Sequence, residues 1–222
     1  MVSIGILAIA VALAGIGVKQ WIWKERVLRK IIERLHAETR RADVLVTKSE
    51  FDEITKRIKT TIKFLEYDAQ GKPLEPKYFT FAGNIIQFQS LVIRFNDKLV
   101  EAGDRLRGKS AAFFMKAFVL NGAETQEFDI TKAYEIPGGY RVSAKSDVSE
   151  QKLWKEFWNY ALDSKKRERA GIKNAQIEAP GSMFLPGTIY TLKIEHGGGL
   201  RIDASPVPEI LKGERIENAA KK

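Results

Sequence analysis

The sequence has no cysteine and only two histidines, and these absences remove several classes of chemistry. Without cysteine there are no disulfides, thiol nucleophiles, thiolate metal ligands or lipidated cysteines. His36 and His196 lie far apart in the sequence, and the Gly-Gly-Gly segment that follows His196 has no G-x-S-x-G motif to accompany it. Such a set indicates neither a metal centre nor a hydrolase triad, so we expect no catalytic residues, no metal and no cofactor.

The amino-terminal region lacks charge over residues 2–18, an unbroken run that ends at Lys19. A bilayer core about 30 Å thick is crossed by about 20 helical residues, and residues 2–23 supply that length. Lysine stems reach the headgroups and tryptophan prefers the interface, so we expect Lys19, Trp21, Trp23 and Lys24 to lie at the membrane surface. The pattern predicts a transmembrane anchor over residues 1–23.

Two alternatives for this segment stay open. Ala12-Leu13-Ala14 resembles a signal-peptide cleavage site, but no Lys or Arg precedes the apolar run and its apolar character continues beyond the site, which favours a retained signal-anchor. The side of the membrane is open as well. The basic residues after the span favour a cytoplasmic domain, whereas an amino-terminal apolar segment is also how chains are exported.

A basic stretch directly after the span carries much of the net charge of +9. Within residues 24–42, apolar residues recur at helical spacing and charges occupy the other face, which predicts an amphipathic stem helix. Basic residues beside a span bind anionic headgroups, and no patch with stacking aromatics indicates nucleic-acid binding. The expected partners are therefore the lipid bilayer and a protein, or a second copy through the anchor and stem, and no nucleic acid.

Residues 43–212 alternate short β-prone runs with turn signals, which predicts a β-rich soluble domain followed by a flexible tail over residues 213–222. The clearest hairpin spans residues 190–202. One helix interrupts the strands, where Asp147 and Glu150 fit a capping box and Trp154 and Phe157 share an apolar face. Alternating βα units are absent, so the predicted class is mainly β (α+β), an antiparallel barrel or sandwich with one inserted helix.

Residues 103–110 match the phosphate-binding pattern G-x-x-x-x-G-K-[ST]. In such a loop Gly103 and Gly108 admit the phosphates to the backbone, Lys109 reaches the β- and γ-phosphates, and Ser110 binds Mg²⁺. The loop must follow a buried strand and open a helix, but the preceding segment is polar and residues 111–120 fit a helix or a strand. The favoured interpretation of this weak match is a charged turn between strands.

The remaining candidate residues are carboxylates and one aromatic side chain. Glu50, Asp52 and Glu53 cluster beside two lysines, a pattern typical of a solvated face and not of an acid–base pair. Trp158 falls off the apolar face expected for the helix, so we expect it to be an exposed contact residue for a partner.

These observations favour a single-pass membrane-anchored protein whose β-rich domain is a binding or interaction module and not an enzyme. An anchored enzyme with a site built from scattered residues is the first alternative. Nucleotide binding through residues 103–110 is the second.

Overall fold

The computed structural model describes residues 41–68, 70–95, 110–121, 124–140, 148–163, 165, 172–195 and 199–209. These residues are mainly β, as the sequence predicts. The strands are β1 (Arg41–Asp52), β2 (Arg57–Glu66), β3 (Lys77–Ala82), β4 (Ile85–Phe95), β5 (Ser110–Asn121), β6 (Glu124–Asp129), β7 (Ile172–Glu178), β8 (Gly181–Met183), β9 (Thr188–Ile194) and β10 (Leu200–Pro206). A short 3-10 turn (Gly138–Tyr140) and one helix, α1 (Val148–Leu162), lie between β6 and β7.

The predicted anchor over residues 1–23, residues 24–40 of the predicted stem and the tail over residues 213–222 lie outside the described residues. β1 begins at Arg41, so Arg41 and Ala42, assigned to the stem by the sequence pattern, belong to the first strand. Within the described ranges, no helix combines the length and the apolar character needed to cross a bilayer.

The strands form two antiparallel sheets. In the first sheet the order is β10-β9-β1-β2-β3, and in the second it is β6-β5-β4-β7, with β8 also paired to β4. Among the described strands, no pairing joins the two sheets into a closed barrel. The predicted β9–β10 hairpin is confirmed, with Leu200 opposite Ile194 and Ile202 opposite Leu192.

A shared core joins the two sheets, and Phe64 of β2 lies near its centre. Its ring centroid is 5.6 Å from that of Phe88 on β4 and 5.5 Å from that of Phe114 on β5. Aromatic pairs at such separations stabilise a core beyond the area that they bury. The alternation of buried and less buried residues in β1 and β2 supplies the apolar face that meets these rings.

Consecutive phenylalanines give β5 two apolar faces, and a bulge at Met115 decides which of them meets the shared core. The β4–β5 register shifts there, since Gln89 pairs with Lys116 and Ser90 pairs with Phe114. The extra residue turns Phe114 towards the shared core and Phe113 towards the opposite face. The second sheet therefore has an apolar outer face that also requires cover.

Helix α1 covers that outer face. The ring of Phe113 lies 5.1 Å from that of Trp158 and 6.2 Å from that of Phe157. Trp158 is fully buried, and its Nε1–H donates a 2.8 Å hydrogen bond to the carbonyl oxygen of Glu135. The prediction that Trp158 is exposed is wrong, because Trp154, Phe157, Trp158 and Ala161 form one buried stripe at i, i+3, i+4 and i+7.

Replacing Trp158 by Ala tests this packing. The cavity and the lost hydrogen bond are expected to lower the free energy of unfolding by about 3–5 kcal/mol. Leu162→Ala is the matched control on the same helix, because Leu162 is half-exposed, and it is expected to cost about 0.5 kcal/mol or less. Urea unfolding followed by circular dichroism measures both, and equal losses would contradict the assignment.

Candidate interaction surface

The turn between β1 and β2 is built around Asp52. Its Oδ1 atom accepts hydrogen bonds from the backbone N–H groups of Ile54 at 2.9 Å and Thr55 at 3.2 Å. The bonds from Thr55 and Ile54 hold the pKa of the Asp52 carboxyl below its usual range. Lys56 completes the turn with a positive φ of 54°. The hairpin tip is thus a defined turn, with one oxygen of the Asp52 carboxylate bonded to the backbone.

Large apolar side chains stand in solvent at this tip. Phe51 and Ile58 are cross-strand partners, with 56% and 43% of their surface exposed, and Ile54 in the turn is 94% exposed. Along β2, Ile58 shares a face with the core residues Ile62 and Phe64. Phe51 and Ile58 are therefore exposed because the core-facing side of the hairpin extends beyond the part that the second sheet covers.

Further exposed apolar residues lie at the same end of the domain. The Gly83 N–H in the β3–β4 turn donates to the Ile58 carbonyl oxygen at 2.6 Å, which places this turn beside the hairpin. Ile85 follows the turn directly, and it pairs with Met183 on β8; both side chains are half-exposed. We call Phe51, Ile54 and Ile58 the apolar end; Ile85 and Met183 lie near it, but on the outer face of the second sheet, because Ile85 alternates with the buried Ile86. Exposed apolar groups gathered in one region are typical of an interaction site.

A groove of about 410 Å³ opens beside the hairpin. Its lining includes Arg57, Ile58 and Lys59 of β2, Thr80 of β3 and Gln126 of β6. The Gln126 amide donates to the Thr80 carbonyl oxygen at 3.1 Å, so the edges of the two sheets meet along one wall. Asp52 also lines the groove, which thus combines a bridged sheet edge, an apolar residue, two cations and one carboxylate.

The charges of the hairpin divide into paired and unpaired groups. Lys48 pairs with Glu50 at 2.8 Å, and Lys56 pairs with Glu53 at 3.0 Å. These exposed pairs agree with the solvated face expected for the acidic cluster. In the part of the chain that the structure describes, neither Arg57 nor Lys59 forms an ion pair.

The structural context of residues 103–110 does not fit a phosphate-binding loop. Gly103, Gly108 and Lys109 lie outside the described residues, but Ser110 is the first residue of β5. β5 runs antiparallel to β4, whereas the motif requires its hydroxyl residue to open a helix. A strand after the motif agrees with the favoured interpretation of a charged connection between strands.

The other residues singled out by the sequence are not brought together in the described structure. Lys19, Trp21, Trp23 and Lys24 lie outside the described residues. Trp158 is in the core and no longer qualifies as a contact residue. Among the described residues, no three or more histidine or carboxylate side chains are grouped so as to hold a metal ion.

Unpartnered polar atoms in the interior do not converge on a second site. Among the described residues, the buried atoms without a hydrogen-bond partner are Gln87 Oε1, Ser90 Oγ and Arg94 Nε. Ser90 shares a face of β4 with the core residue Phe88, whereas Gln87 lies on the opposite face. These atoms therefore belong to two different layers.

Asp43 is the centre of a polar network at the opposite end of β1. Its carboxylate accepts hydrogen bonds from Arg41 at 2.7 Å, Tyr67 at 2.8 Å and Thr191 at 2.8 Å. Burial raises the pKa of Asp43, but the bonds from Arg41, Tyr67 and Thr191 and the Arg41 charge outweigh it and hold the pKa below its usual range. All three donors bind the same carboxylate, so the network links β1 to β9 and its role is to stabilise the fold.

Substituting Asp43 by Asn tests this role through pH. Because the folded-state pKa is lowered, the ionised carboxylate stabilises the fold above the unfolded-state pKa, and this contribution is lost as pH falls through the folded-state pKa. We expect Asp43→Asn to cost about 1–2 kcal/mol at neutral pH, with a smaller difference from wild type below about pH 3.9.

Denaturant titrations across this pH range measure the difference. Asp203→Asn on β10 is the control, because Asp203 is more exposed and solvent screens its ion pairs with Arg201 and Lys193. A loss at Asp43 that stays constant across the range would show that its charge is not what stabilises the strand pairing.

Comparison with known proteins finds no match for this chain among protein-family models, curated proteins or solved structures. The apolar end is thus the functional candidate that geometry alone provides. The sequence signal for it was present, since Phe51 and Ile54 interrupt an otherwise polar stretch. The acidic cluster of the same stretch predicts only a solvated face, and it therefore does not mark Phe51 and Ile54 as a site.

Proposed function

We propose that this chain is a single-pass membrane protein whose domain, a β-sandwich, is a binding module that performs no chemistry. The observation that carries the binding role is the exposure of Phe51, Ile54 and Ile58 on an ordered hairpin. Removing an exposed apolar group from water lowers the free energy, so a partner that covers these side chains gains affinity. The defined turn holds all three in place for such a partner. The uncharged run over residues 2–18 supports the anchor.

The position of the apolar end supports presentation away from the predicted stem. β1 starts at Arg41, next to the stem, and ends at Asp52 in the hairpin. With a rise of about 3.3 Å per residue, the strand separates these two points by about 35 Å. A membrane attached through the stem would therefore leave the hairpin free to meet another molecule.

Membrane attachment is tested by fractionation of cells that make the full chain. The chain is expected to sediment with membranes, to resist extraction by salt and alkaline carbonate, and to dissolve in detergent, because a spanning helix leaves lipid only when its apolar surface is covered. A variant that starts at residue 24 is the control, and salt is expected to release it because only the basic stem attracts headgroups.

Two added readouts make this experiment decisive. Intact mass identifies cleavage near Ala14, and a carboxyl-terminal reporter that is active on one side of the membrane assigns the side of the domain. Uncleaved full-length chain that stays in the soluble fraction without detergent would contradict the proposed anchor.

A further inference from the structure

The two unpaired cations of the groove, Arg57 and Lys59, lie across the ladder from carboxylates that have other partners. Arg57 lies opposite Asp52 in the β1–β2 register, and Lys59 lies opposite Glu50. The Asp52 carboxylate accepts hydrogen bonds from the turn, and Glu50 pairs with Lys48. The carboxylates across the ladder thus have other partners, and neither Arg57 nor Lys59 forms an ion pair among the described residues, although the Lys59 charge helps to lower the pKa of Asp52.

The groove places these cations beside apolar surface. Ile58 lies between Arg57 and Lys59 on β2; its side chain points to the core-facing side and theirs to the outer side, and all three line the groove along the strand edge. The last β2–β3 pair joins Lys59 to Ala82, so Arg57 and Ile58 extend beyond the end of β3. A partner that enters the groove thus meets positive charge and an uncovered apolar side chain within one short stretch of strand.

Charge distinguishes a protein partner from the other occupants of such a surface. An anionic bilayer would meet Glu50, Asp52 and Glu53 on the same hairpin, and the cost of bringing these carboxylates to the headgroups opposes insertion. In a two-fold dimer through this hairpin, one copy would have to offer Glu50, Asp52 or Glu53 to the cations of the other, and these carboxylates already have partners. A short segment can direct its carboxylates at Arg57 and Lys59 alone, whereas a bilayer presents its negative charge to the whole hairpin.

We propose that the groove and the apolar end bind a protein segment that presents acidic side chains next to apolar ones. This inference rests on the proposed binding function and specifies its partner. The carboxylates of the segment pair with Arg57 and Lys59, and its apolar side chains cover Ile58, Ile54 and Phe51. The charges set specificity and association rate, while the apolar contacts supply most of the affinity.

The test is selection from a display library of short random peptides against the full chain held in detergent micelles. Peptides enriched on wild type are expected to carry an excess of Asp and Glu beside aliphatic or aromatic residues. Binding of the selected peptides is expected to weaken about tenfold in the double variant Arg57→Gln, Lys59→Gln, and to weaken with rising salt.

The chain offers a matched control for charge. The double variant Lys56→Gln, Lys193→Gln removes two cations that already pair, with Glu53 and with Asp203, and it leaves the Lys48–Glu50 pair intact. It is expected to change peptide binding by about twofold or less. Ile54→Thr tests the apolar contribution and is expected to weaken binding, while its high exposure leaves the unfolding midpoint unchanged.

Three outcomes would overturn the inference. They are selected peptides without acidic enrichment, equal losses in the two double variants, and no selectable peptide at all. Sedimentation of a variant that starts at residue 24 with phosphatidylserine vesicles, if abolished by Ile54→Thr, would assign the apolar end to lipid. Concentration-dependent dimers abolished by Ile54→Thr would assign it to a second copy.

The failure of this inference is distinguishable from failure of the proposed function. A chain that sediments with membranes but selects no acidic peptide retains the anchor and loses the assigned partner chemistry. A chain that selects acidic peptides but remains soluble without detergent loses the anchor and retains the partner chemistry.

Discussion

The contact of Phe64 with Phe88 and Phe114 is the constraint on which the two-sheet arrangement depends. It fixes where the sheets meet, and the buried residues of β1, β2, β4 and β5 extend outward from it. Cover is complete around these rings and decreases along the β1–β2 hairpin, where Phe51 and Ile58 are exposed. The same alternation that builds the core therefore also builds the apolar end, because a strand continues its pattern whether or not a facing sheet accompanies it.

Two consecutive phenylalanines in β5 explain why the domain needs its helix. Phe113 and Phe114 point to opposite faces, the bulge at Met115 selects Phe113 for the outer face, and an apolar outer face must be buried against another element. α1 supplies Phe157 and Trp158 for this purpose. The second sheet is thus buried on both faces near the bulge, whereas the hairpin of the first sheet has an uncovered face.

Sequence patterns predicted what depends on local periodicity and missed what depends on facing elements. The β-rich class, the helix and the β9–β10 hairpin followed from spacing and turn residues. The burial of Trp158 did not follow from spacing. The apolar face expected for the helix is displaced by one position from the face that packs against the second sheet. The apolar end was missed for a related reason: alternation marks which residues share a face, but the length of the opposing sheet is set by distant residues.

The division of charge on the hairpin links its folding to its proposed role. Each cation of the tip has a carboxylate within a few residues or directly across the ladder, and local neutralisation of every charge would be the simplest arrangement. Asp52 instead stabilises the turn by accepting two backbone hydrogen bonds at Oδ1. The residue that orders the tip is therefore the one across the ladder from Arg57, and the ordered hairpin holds this cation without an ion pair next to Ile58 in the strand.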